Sequence, residues 1–197
     1  KSYIHIILFI KGHIMRFFIL FLLTTSLFSK VVITEKFKSY PINVYSASEL
    51  VEEVHNSPLV HDNKKAIAQA HGKFKKIYYY GKKSNVTCKP IRVLIELDIT
   101  YTMPKLINDH TEGDVDIIWD KWYPHLLVHE KTHGKSYINM AKRLEKRISS
   151  LKKFRNCKLL DKEVKKIIKE EYTALKRFNK EFDSIRHEST DIRTYFE

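Results

Sequence analysis

From residue 30 to 118 the apolar positions recur mostly with a period of two, and from Trp119 onward with a period near 3.5, so the chain reads as strands followed by helices. The alternation is plainest where Ile91, Val93, Ile95, Leu97 and Ile99 point one way while Arg92, Glu96, Asp98 and Thr100 mostly point the other. That pattern predicts a half-buried strand over 91–99, ended by a turn at Met103-Pro104. Further strands are predicted over 31–37 and 73–80, and a short helix with a Ser cap over 46–56. A polar loop over 107–116 leads to the second half.

There Trp122, Leu126, His129, His133, Tyr137, Ala141, Leu144, Ile148 and Leu151 fall along one stripe of a long helix, with Pro124 suited to its first turn. A second helix is predicted from about Asp161 to Ile185, its stripe carrying Val164, Ile168, Glu171, Leu175, Phe178, Phe182 and Ile185. A small antiparallel or mixed sheet followed by two long helices is an α+β arrangement. With 43% apolar residues and only five Gly and five Pro among 197, residues 30–197 suit one domain with its own core.

Residues 1–29 stand apart. From Met15, Arg16 precedes an apolar run from Phe17 and a small polar stretch ending at Ser29, the layout of a secretory signal that starts at Met15 and is cleaved near Ser29. The uncharged run from Phe17 to Ser29 falls short of the roughly 20 residues a membrane span needs. Export to the periplasm or beyond makes Cys88 and Cys157 an even pair in an oxidising compartment, and a disulfide between the strand and helical regions is expected. Asn85-Val86-Thr87 spells a glycosylation acceptor. The formal charge is +13, and without residues 1–29 the chain keeps 33 basic and 23 acidic residues, a net of +10. An anionic envelope surface is therefore an expected partner. Nucleic acid is not expected, because the lysines are scattered in pairs of the kind a solvated face carries.

The stretch with specific chemistry is His129-Glu130-Lys131-Thr132-His133. Histidines four apart on a helix share a face, and both imidazoles can reach one zinc ion. Glu130 lies about 60° round from His133, beside the metal, where a general base belongs. Ser136 and Asn139 stand where a metzincin continuation would need Gly and His. A third ligand can come from Glu171, a carboxylate on an apolar stripe that demands a partner, or from His187 beyond the second helix. Asp183 is a candidate to orient a ligand imidazole. Tyr137, Tyr172 and Tyr195 are candidates to stabilise an oxyanion, and His125 lies one turn before His129.

The order of "YPINV", "CKPIRVLIELDITYTMP", "WDKWYPHLLVHEKTHGKSYINMAKRL", a second Cys and a terminal Phe-Asp…His segment resembles a bacterial family of predicted secreted zinc-dependent proteases, the domain of unknown function 922. The resemblance implies a zincin-like fold and His187 as the third zinc ligand. Family members tend to end in Tyr-Asp-x-x-Thr-x-His-Gly, and "FDSIRHES" departs from this at Phe182, in the missing Thr and Gly, and in the shorter spacing to His187. The resulting expectation is an exported zinc metallopeptidase in which Glu130 activates water and the strand over 91–99 pairs with an extended peptide or protein substrate. Its rivals are a non-catalytic basic envelope-binding protein with a structural zinc, and a zinc amidase acting on cell-wall peptide.

Overall fold

The computed structural model describes residues 30–61, 64–81, 87–107, 113–185 and 190–196. The leader, its start and its cleavage point, together with Asn85 of the glycosylation acceptor, lie outside the described residues. A three-stranded mixed sheet and two long helices form the α+β architecture expected from the sequence.

Strand β1 (Lys30–Ile42), helix α1 (Ala47–His55), a small antiparallel pair β2 (Leu59–His61) and β3 (Lys64–Ala66), and strands β4 (Gln69–Gly81) and β5 (Pro90–Leu106) precede helices α2 (Gly113–Ser149) and α3 (Cys157–Ile185). A 3₁₀ turn, Ile192–Tyr195, follows. The side chain of Ser46 accepts the Glu49 N–H and caps α1 as expected. β5 is the middle strand, parallel to β1 from Leu94 to Leu106 and antiparallel to β4 from Pro90 to Thr102. Its odd positions from Val93 to Met103 are fully buried under the helices, while its even positions from Leu94 to Thr102 are half-buried on the outer face.

Three expectations change. β5 continues through Met103-Pro104 without a turn. Beyond Thr102 it has only β1 beside it, so the side vacated by β4 accommodates a residue with no N–H. Both edges of β5 are occupied over most of its length, so it cannot take a substrate strand, and the outer edges of this sheet belong to β1 and β4. Finally, α2 begins at Gly113, which puts Pro124 inside the helix. The buried Val115, Ile118 and Trp122 before the proline and Leu126 after it hold both segments against the core, outweighing one lost backbone hydrogen bond.

The expected disulfide joins Cys88, at the approach to β5, to Cys157, at the start of α3. Cys88 and Phe154 also exchange two backbone hydrogen bonds of 2.9 and 2.7 Å, which ties the α2–α3 connection to the sheet. Among the described residues no helix is long and apolar enough to cross a membrane.

Two glycines let α2 lie close on the sheet. A Cβ at Gly134 would collide with the Tyr101 hydroxyl, and one at Gly72 of β4 would enter the Tyr137 ring. Gly134→Ala therefore lowers stability by about 1–3 kcal/mol despite the better helix propensity of alanine. In a Tyr101→Phe background, which removes the nearest atom, the same change costs less. Denaturant unfolding of the four proteins measures this coupling.

Candidate metal centre

α2 crosses the sheet with different faces committed to different neighbours. At 100° per residue His129 and His133 lie within about 40° of each other and turn toward α3, while Glu130 lies about 60° further round, against β4. The sheet-facing row thus carries the carboxylate and the α3-facing row the imidazoles. Glu130 is only 5% exposed, and its carboxylate takes a hydrogen bond from the Ala70 backbone. Burial is the largest influence on it and raises its pKa above the ordinary glutamate value, against the lowering effect of His133, His129 and the Ala70 bond.

The two histidines meet Asp183 from the last two turns of α3. His133 Nε2 lies 2.8 Å from Asp183 Oδ1, His129 Nε2 lies 3.3 Å from the same oxygen, and the two Nε2 atoms are 3.1 Å apart. Tetrahedral coordination with bonds of about 2.0–2.1 Å needs donor atoms about 3.3 Å apart, so this triangle fits a divalent transition metal. Two imidazole nitrogens and one carboxylate are also a donor set that zinc accepts. Burial works against the Asp183 charge, but hydrogen bonds from His129 and His133 outweigh it and hold the carboxyl well below its usual range. Burial likewise disfavours a charged His133, yet the Asp183 hydrogen bond and the Glu130 charge leave its pKa raised. The Asp183 side chain is 54% exposed, so one side of the cluster opens to solvent.

Outer contacts orient this group. Asn179, one turn before Asp183, hydrogen-bonds the His133 ring and also accepts from Ser136 Oγ at 3.0 Å. The Phe182 ring packs on both imidazoles, 4.8 Å from His129 and 5.2 Å from His133, and Phe178 stacks on Phe182. Asn179 and Ala70 did not stand out in the sequence. The spacing of Asn179 four residues before Asp183 is the signal that could have found it, because the two share a helix face.

The sequence candidates divide clearly. His129, Glu130 and His133 come together as expected. Asp183, expected to orient a ligand imidazole, lies 2.8 and 3.3 Å from the His133 and His129 Nε2 atoms, in a group that could hold a metal ion. Glu171 does not reach the cluster. It lies twelve residues before Asp183, about 18 Å along α3, and both its oxygens are taken by Arg143 at 2.8 Å and Arg147 at 2.9 Å. His187 lies outside the described residues. His125 is exposed and tilts against the Tyr195 ring at 5.5 Å. Tyr137 stands over Gly72 and hydrogen-bonds its backbone, and Tyr172 packs on Phe74 instead of the cluster.

Residues 37–189 match the profile of a family described as bacterial protein of unknown function (DUF922). No curated protein and no solved structure matches the chain.

Metal affinity should fall with pH. A raised His133 pKa means that a proton occupies the ring at a pH where an ordinary imidazole, near 6.5, is already free, and proton and metal compete for Nε2. Calorimetric titration with Zn²⁺ is expected to give at least about tenfold weaker binding at pH 5.5 than at pH 7.5. At pH 7.5 Asp183→Ala should weaken binding more than about 100-fold, beyond the 10–100-fold typical of a residue that only orients a ligand. Glu171→Gln should leave it unchanged.

Proposed function

Because the chain belongs to this bacterial family of unknown function, where membership assigns no chemistry, we propose from the site alone that it is an exported zinc-dependent peptidase of zincin-like build. The observation that carries the reading is the buried Glu130, held against a strand edge immediately beside two imidazoles and a carboxylate that converge on one point. His129, His133 and Asp183 would hold the ion. When bound, zinc would supply a Lewis acid that acidifies water and polarises a carbonyl.

The rest of the chemistry belongs to the chain's own residues. Glu130, with a pKa raised by burial, takes the proton of the attacking water and returns it to the leaving amine. The Ala70 hydrogen bond fixes the carboxylate so that this transfer needs no side-chain search. The outer edge of β4, whose Ala70 and Gly72 backbones already hold Glu130 and Tyr137, offers its remaining main-chain donors and acceptors to an extended peptide, which holds it without reading its sequence. This role passes to β4 from β5, whose edges are filled. Phe182 fixes the orientation of the imidazoles, and the exposed side of Asp183 leaves the approach that a catalytic ion requires. A closed structural zinc with Glu171 as a ligand is disfavoured by the arginine pair that already holds that carboxylate. The disulfide accords with an oxidising compartment.

Glu130→Gln should retain one zinc per chain by elemental analysis while lowering hydrolysis of a fluorogenic peptide mixture by about 10²–10⁴-fold. Unchanged hydrolysis in that variant would remove Glu130 from the reaction.

A further inference from the structure

The face of the sheet turned away from the helices carries a charge pattern that the metal centre does not use. Side chains alternate along each strand, and the register places the even residues of β1 and β5 together on this outer face. It bears Lys30, Lys36 and Lys38 from β1, Lys73, Lys75 and Lys76 from β4, and Arg92 from β5, all exposed. Against these seven cations stand two described carboxylates, Glu96 and Asp98, on the middle strand. Lys75 lies 2.7 Å from Asp98 and compensates one of them. The helices differ: α2 has seven basic and five acidic residues, and α3 eight and six. The sheet face thus carries a net +5 against +2 on each helix, the largest local excess among these three surfaces.

We propose that this outer sheet face docks the protein on an anionic lipid bilayer. β1 and β4 flank β5 at about 4.8 Å each, so the six lysines form two rows about 10 Å apart, with Arg92, Glu96 and Asp98 on the strand between them. A fluid leaflet can gather anionic headgroups beside each row and leave the middle strand free of them, which a polymer with fixed phosphate spacing cannot do. Single-stranded nucleic acid is a poorer fit. The Tyr78 ring on this face already has Lys76 Nζ 5.2 Å from its centroid, so it is not a bare platform for base stacking. Nor does a sheet face present a helix or a ribbon to enter a duplex groove. Docking through this face leaves α2, α3 and the metal cluster on the side away from the lipid, so the surface is independent of the proposed hydrolysis.

The test is co-sedimentation of the protein with vesicles of equimolar phosphatidylglycerol and phosphatidylcholine, and with vesicles of phosphatidylcholine alone. The parent should bind the anionic vesicles at least about tenfold more tightly than the neutral ones, and binding should weaken as salt is raised. The triple variant Lys36→Glu, Lys38→Glu, Lys73→Glu should lose at least about tenfold in affinity, and the milder Lys→Gln triple should lose binding in the same direction with its fold intact by circular dichroism. Lys162→Glu, Lys165→Glu, Lys176→Glu on α3, with the same change in net charge, should keep it. Equal loss in the sheet and helix variants, equal binding to neutral vesicles, or tighter binding to duplex DNA than to anionic vesicles would each overturn the proposal.

Discussion

The close seating of α2 on the sheet is the constraint from which the rest follows. Gly134 admits the Tyr101 hydroxyl beneath the helix, and Tyr101 in turn donates a 2.8 Å hydrogen bond to Glu35 on β1. Gly72 does the converse, clearing space on β4 for the Tyr137 ring. With the helix fixed in both directions, Glu130 has nowhere to go but against Ala70, and the two imidazoles one row round must look toward α3. A rotation of the helix by half a residue's angle would part the carboxylate from the strand. The apolar stripe alone, with Leu126, Met140, Leu144 and Ile148 tolerating small rotations, would not set the angle so narrowly.

The second relation is between α2 and α3, and it is set far from the cluster. Arg143 and Arg147 grip Glu171 while Arg147 also reaches Glu170 at 2.6 Å, fixing how far α3 slides along α2. Burial opposes the Glu171 charge, but the two guanidinium groups more than offset it and hold the carboxyl below its usual value. At the other extreme of α3, the disulfide pins its first residue to the approach of β5. These two restraints deliver Asp183 three turns further on, where Asn179 and Phe182 complete the fit around the histidines. The ion pairs are worth little for stability individually, since the arginines are half exposed. Their contribution is register.

This division explains what was legible in the sequence. Whatever depends on one segment could be read: the alternation of β5, the stripe of α2, the Ser46 cap, and the shared face of His129 and His133. The pairing of the two cysteines followed from their number and compartment. What depends on how segments meet could not. The position of β5 in the middle of its sheet rests on β1 joining it in parallel across more than sixty residues. Glu171 on its apolar stripe shows from sequence that it needs a partner, but not that arginines four apart on α2 supply it. Asp183, near a helix end and half exposed, has the local pattern of an ordinary solvent-facing acid, and only the helix register brings it against the two imidazoles.

The parallel pairing of β1 with β5 also bears on how the chain reaches this state. The two long helices consist of local contacts and can form within microseconds of the chain being free. Their platform cannot, because the Glu35–Tyr101 contact closes a separation of 66 residues and the disulfide one of 69. The slow event in folding is thus assembly of the sheet beneath helices that already expose their apolar rows. A nascent chain of this design stays unfolded in its first half until the strand over 90–106 has emerged, and its vulnerable period is the interval in which an amphipathic helix pair waits for the surface it will cover.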